Sequence, residues 1–202
     1  MTSYSLNIAF EKEDANLINS INQKVVLVKQ TASSSSNNNV AWVTFDPFEN
    51  NTVSWTEEYS VYASTSEVQN GAVIQKLSVE EAADGNVYDF VNNVFHLDTS
   101  LTIPKSSYGI YNSTNKVLTF GLAQDVTVNN GFFKAAPINA ASVLGGQDAT
   151  FTPLTQVLVF LQNSYQDGVV LTRVFSQTYK AVFGDGNFVV NLLYRNGNFV
   201  KV

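Results

Sequence analysis

The segment Thr52-Val53-Ser54-Trp55-Thr56-Glu57-Glu58-Tyr59-Ser60-Val61-Tyr62-Ala63 carries the fold signal. Val53, Trp55, Glu57, Tyr59 and Val61 fall on one side of an extended chain; Ser54, Thr56, Glu58 and Ser60 fall on the other. This is period-2 alternation over a full strand length, with one acidic interruption at Glu57. A helix would need apolar residues three and four apart, which the segment lacks.

Working outward, residues 4–10 alternate in the same way, and residues 24–29 and 40–45 read as two more strands. Between these two lies Ser33-Ser34-Ser35-Ser36-Asn37-Asn38-Asn39, a low-complexity run with nothing to bury, which reads as a mobile hairpin loop over 33–39. Further strands are expected over 72–79, 87–91, 107–111, 116–122, 156–162, 177–183, 188–194 and 198–202. Asn70-Gly71, Asp84-Gly85, Asn130-Gly131, Asp167-Gly168, Asp185-Gly186 and Asn196-Gly197 punctuate them. Such dipeptides tolerate the positive φ angles of tight turns between antiparallel strands. The clearest hairpin is the last, residues 188–194 turning at Asn196-Gly197 into 198–202. Helix candidates are residues 11–22, with Leu17, Ile18 and Ile21 at helical spacing, and a single turn over 78–84. The expected fold is all-β: a single antiparallel β-sandwich, or flattened barrel, of about a dozen strands with at most one or two short helices, and residues 1–202 form one domain.

Composition agrees. Of 202 residues, 45% are hydrophobic and 12% aromatic, enough for a core without staples, while only 14% are charged. Asn, Ser and Thr occupy the polar positions instead, as suits strand faces and turns. The net charge is −6 and the eleven Lys and Arg are scattered, so nucleic acid and anionic membrane surfaces are disfavoured partners. There is no cysteine to pair. No apolar run reaches the roughly 20 residues of a membrane-spanning helix. Met1 to Phe10 lacks a basic stretch followed by an apolar one, so a cytoplasmic location is expected. Asn50-Asn51-Thr52 and Asn112-Ser113-Thr114 match the glycosylation sequon, as chance allows in an Asn- and Thr-rich chain.

Several pieces in order resemble the rhizosphere-induced RhiA family of bacteria. They are Tyr4-Ser5-Leu6, Ala41-Trp42-Val43, Asn51-Thr52-Val53-Ser54-Trp55, Tyr59-Ser60-Val61-Tyr62, Asn70-Gly71-Ala72, Ala83-Asp84, Phe151-Thr152-Pro153 and Asp167-Gly168-Val169-Val170-Leu171. The chain departs from that pattern at residues 44–48 and in its Ser/Asn loop. The resemblance implies a soluble, abundantly made protein and carries no catalytic residue onto this chain.

Chemistry is sparse. His96 is the lone histidine. A hydrolase would have to combine it with a Ser and Asp98 or Asp89, yet no Gly-x-Ser-x-Gly elbow accompanies it. One His and no Cys exclude the usual zinc ligand sets, and no metal is expected. Asp84-Gly85-Asn86 and Asp185-Gly186-Asn187 offer oxygen ligands for Ca²⁺ but sit where hairpins must turn. Gly145-Gly146 lacks the motif of a phosphate loop. Glu57 shares the Trp55/Tyr59 face; if that face is buried, its charge needs a partner or its pKa rises. Trp42, Trp55, Glu57, Tyr59 and Tyr62 are the candidate ligand-binding residues of a carbohydrate-stacking groove or internal cavity. The expected function is therefore non-enzymatic: binding, accumulation or self-association (as a homo-dimer), with a glycan or small molecule as ligand and no cofactor. The alternatives are a carrier enclosing an organic ligand or pigment, with Lys29, Lys134 or Lys180 as covalent anchor, a hydrolase using His96, and a lipid-binding or pore-forming toxin.

Overall fold

The computed structural model of the chain describes residues 2–163, 165–172 and 177–202. Along β1 (Ser3–Phe10), Tyr4, Leu6, Ile8 and Phe10 are buried and the residues between them face outward. The same alternation builds the rest. After β1 come α1 (Lys12–Ser20), β2 (Gln23–Ser33), β3 (Asn38–Val40), β4 (Val43–Phe45), β5 (Asn50–Thr56) and β6 (Tyr59–Ser64). Next are β7 (Lys76–Ala82), β8 (Val87–Val91), β9 (Val94–Asp98), β10 (Tyr108–Asn112), β11 (Leu118–Val128) and β12 (Gly131–Pro137). The chain closes with β13 (Asn139–Val143), β14 (Asp148–Asn163), β15 (Val170–Leu171), β16 (Tyr179–Val182), β17 (Val189–Arg195) and β18 (Asn198–Lys201).

An eleven-stranded sheet runs β15-β3-β13-β11-β5-β1-β17-β18, with β12 and β6 also on β11 and β7 on β6. A seven-stranded sheet runs β4-β2-β14-β10-β8-β9, with β16 on β14. The two pack face to face as a sandwich and do not close into a barrel. The all-β sandwich is as expected, but two details differ. Among the described residues the strands number eighteen, because several are only two to five residues long. The sheets are mixed: β1 pairs with β17 in parallel, and β8 with β10. Hairpin signals report only antiparallel neighbours, so pairings between remote segments leave no local mark.

Residues 52–63 form two strands instead of one. Between the pairs Ser54–Thr127 and Ser60–Ala123, the β5–β6 chain advances six residues while β11 moves four. The two extra residues, at Glu57–Glu58, amount to one full strand period, so Trp55, Tyr59 and Val61 all stay on the inner face. The Gln124 side-chain amide closes the gap by donating to the Thr56 carbonyl at 2.6 Å.

The helix expected over 11–22 is α1, docked by Ala15 and Ile18 with Leu17 exposed. Residues 78–84 belong to β7 and the turn after it, not to a helical turn. The Ser/Asn run is no hairpin: β3 pairs with β13 and β15, so the chain crosses there from one sheet to the other. Asn37 ties this crossing down, donating to Thr31 and accepting from the Asn139 amide.

Leu6, Ile8, Val53, Trp55, Phe120 and Leu122 of the large sheet meet Val25, Leu27, Phe90, Ile110, Phe151 and Val159 of the small one in the main core. The outer face of β2 and β14 is covered as well, Val26, Val28 and Phe160 packing on Ala41, Val169 and Leu171.

Candidate functional site

The inward row of β2 reads Val25, Leu27, Lys29, and the inward row of the facing sheet reads Val53, Trp55, Glu57, Tyr59. Each row thus places one charge where alternation calls for an apolar side chain, and the two charges meet. Lys29 Nζ lies 2.8 Å from Glu57 Oε1, with the lysine side chain 1% exposed and the glutamate 27%. Trp55 Nε1 donates to the same Oε1 at 3.4 Å, and the Tyr59 hydroxyl donates to Oε2. Nζ also lies 5.2 Å from the Trp55 ring centroid, 5.4 Å from Tyr59 and 6.0 Å from Trp42, within cation–π range. Burial pushes the Lys29 ammonium below the usual lysine range, against the pull of the Glu57 carboxylate. Burial and then the Glu57 charge push the Tyr59 hydroxyl well up; Tyr108, whose ring lies 5.3 Å from Tyr59, is pushed up to about 12, chiefly by burial.

The five residues singled out from the sequence are thereby placed. Trp42, Trp55, Glu57 and Tyr59 converge on Lys29. Tyr62 does not: it points to the opposite face of β6, into a separate cluster with Val40, Ala123 and Ala140, and its hydroxyl donates to the Asn139 carbonyl at 2.6 Å. The four aromatic rings are each 5% exposed or less, so none offers a face to an external sugar. Of the three candidate anchors only Lys29 is interior; Lys134 and Lys180 are exposed. An open pocket of about 190 Å³ lies where Tyr194 and Phe199 approach Gln23 and Leu161, and neither Lys29 nor Glu57 lines it. His96 is exposed on β9, directly across from Asp89 of β8, while Asp98 accepts instead from Ser100. Of the two sequons, Asn112 is fully buried, its amide donating to Lys116 and Val143 carbonyls, and Asn50 is exposed.

A different surface emerged on the outer face of the large sheet. A neutral, polar patch lies there, made of Ser5 and Asn7 of β1, Thr52 and Ser54 of β5, Thr127 of β11, and Asn191 of β17, and it is bordered by exposed Val189, which pairs with Ser5, and by exposed Asp125 of β11. Register aligns them across strands, Asn191–Asn7–Thr52 in one row and Ser5–Ser54–Thr127 in the next. Asn7 links its row, donating to Asn191 at 2.8 Å and accepting from Thr52 at 3.1 Å. The β11–β12 hairpin turns at Asn129-Asn130, both with positive φ, one residue earlier than the Asn130-Gly131 dipeptide suggests. The turn lies beside β5, continuing the β11–β5 pairing, with Asn129 accepting from the Thr52 backbone N–H at 2.8 Å. The result is an open groove of about 440 Å³ lined by Phe48, Asn50, Thr52, Ser54, Thr127, Asn129 and Asn130. None of the seven is charged. Phe48 stands 63% exposed at its side, as does Phe132, which pairs across from Thr127 on the same face. The sequence signal for it was the polar half of the alternation, in three segments far apart in the chain.

Comparisons of the chain with protein-family models, with curated proteins and with solved structures gave no match. Fold and sites together define a class: a mixed β-sandwich with one helix, an ion pair enclosed between its sheets, and a charge-free groove outside. Among the described residues no helix is long and apolar enough to cross a membrane.

Proposed function

We propose that the chain is a non-enzymatic binding protein whose ligand is a neutral glycan, held on the outer face of the eleven-stranded sheet. The observation that carries this reading is the groove between Phe48 and the Asn129-Asn130 turn, furnished only with hydroxyls, carboxamides and an exposed ring. Those groups match sugar hydroxyls, which both donate and accept, and an aromatic ring packs against the C–H face of a pyranose. The net charge of −6 argues against phosphate-rich ligands in the same place. The RhiA resemblance names no site, so the reading stands on the groove.

The test is retention on a neutral-glycan array, comparing the chain with Phe48→Ala. Losing the stacking ring should weaken binding about 10-fold, equivalent to about 1.4 kcal/mol. Retention on no glycan, or identical retention of the variant, would count against the proposal.

A further inference from the structure

The cluster between the sheets has the parts of an acyl-transfer site. We propose that Lys29 and Glu57 condense autocatalytically into an amide, Nζ to Cδ, that covalently joins the two sheets.

The geometry supplies what such a reaction needs. The amine and the carboxylate are held at 2.8 Å by elements that cannot drift apart, since β2 and the β5–β6 segment are built into opposite sheets of one core. Groups fixed in this way react with effective molarities of about 10⁵ M or more. Both oxygens of the carboxyl already have donors: Tyr59 at Oε2, and Trp55 together with Lys29 at Oε1. Aromatic walls and near-complete burial of Nζ favour the neutral, nucleophilic amine over the ammonium. The depressed pKa of Lys29, caused first by burial, acts in the same direction.

The step balances without any co-reactant. Lys29 passes one proton to Oε1, which leaves a free amine beside a carboxylic acid. The Nζ lone pair attacks Cδ, and the carbonyl electrons move onto Oε2, where the Tyr59 hydroxyl stabilises them. Oε1 takes a second proton from Nζ and departs as water when the tetrahedral intermediate collapses. One Nζ–Cδ bond forms, one Cδ–O bond breaks, and the product is a secondary amide with no net charge. Tyr59 is the catalytic residue, because it touches the oxygen on which charge develops. Residues 29 and 57 are 28 apart in sequence, so the amide would close a loop holding the crossing from one sheet to the other.

The experiment is the intact mass of the purified full chain after incubation in its folded state at neutral pH, followed by proteolytic mapping. The expected result is a mass one water below that of the sequence, and a branched peptide joining the Lys29 and Glu57 segments. Lys29→Arg, which keeps the charge without a nucleophilic amine of the same reach, should show the full mass, as should wild-type chain incubated unfolded in guanidinium chloride. A full mass for the folded wild type overturns the proposal. So does a water loss that maps to Asp84-Gly85, Asp167-Gly168 or Asp185-Gly186, where cyclisation of the aspartate would give the same mass change.

Discussion

Lys29→Met should destabilise the wild-type chain and stabilise a chain that already carries Glu57→Met. At 2.8 Å the Lys29–Glu57 attraction is about 6 kcal/mol for an effective dielectric constant of 20. Desolvation of the two ions offsets most of that, and breaking such a pair costs about 3–5 kcal/mol because the survivor is left uncompensated. The survivors differ. Without Lys29, Glu57 retains its 27% exposure and two donors, Tyr59 and Trp55, so the cost falls to about 2 kcal/mol. Without Glu57, Lys29 is left 1% exposed beside the Trp42, Trp55 and Tyr59 rings, and the Tyr59 and Trp55 donors lose their Glu57 acceptor, for a cost of about 4 kcal/mol. The two single variants should thus differ by about 2 kcal/mol, or about 4–8 °C in midpoint for a chain of this length. Adding Lys29→Met to Glu57→Met removes the stranded charge and should return about 1–3 kcal/mol. The amide proposed above would deepen the loss of both single variants against the wild type by the same amount and leaves their difference and the double variant's gain unchanged, since none of the three can form it. Urea unfolding followed by tryptophan fluorescence reads the effect directly, because both indoles adjoin Lys29. Equal losses for Lys29→Met in the two backgrounds would refute the reasoning.

Gly121→Ala should cost about 3 kcal/mol, since its Cβ would fall 2.3 Å from the Asn139 carbonyl oxygen and 2.8 Å from the Tyr62 ring. Gly71→Ala should cost only about 1 kcal/mol, from φ at +83° with open space around it; chemical denaturation of the two variants checks the ratio. Alkali should unfold the chain. Tyr4, Tyr59, Tyr62, Tyr108 and Tyr194 all hold their protons more tightly when folded. Their contribution is complete below pH 10 and is lost as pH rises toward the folded value, about 12 for Tyr108. Lys29 and Lys76, depressed by burial, act in the opposite sense but are fewer. Stability measured at pH 8 and pH 11 should therefore fall, and a flat profile would contradict the burial of these hydroxyls.

Strands were legible wherever one face meets the core and the other meets water, as along residues 4–10 and 52–63. The terminal hairpin was legible from chemistry, and Asn196 and Gly197 do take positive φ between Arg195 and Asn198. By contrast, β9 was missed. Its hairpin turns on Asn92-Asn93, both at positive φ without a glycine, and its exposed Val94 and Leu97 give no inward row. The long β14 was half seen, because its register shifts between Pro153 and Val157, where proline cannot donate to a ladder. Both halves of the buried ion pair stood in the sequence as charges within apolar rows. What joins them is the stacking of two sheets, and no periodicity encodes which strands face each other. The groove was hidden for a related reason: alternation marks its residues as outward, and only register assembles them.

The glycan reading proposed above puts the ligand on the outer face of the large sheet and away from the Trp42 and Trp55 rings. Amide and indole NMR shifts of the labelled chain, followed during titration with a glycan that the array retains, test it most directly. Backbone signals of Thr52, Ser54, Thr127, Asn129 and Asn130 should move together, with the Trp42 and Trp55 indole signals in place. Movement of the indole signals with a still outer face would put the ligand between the sheets and contradict the account.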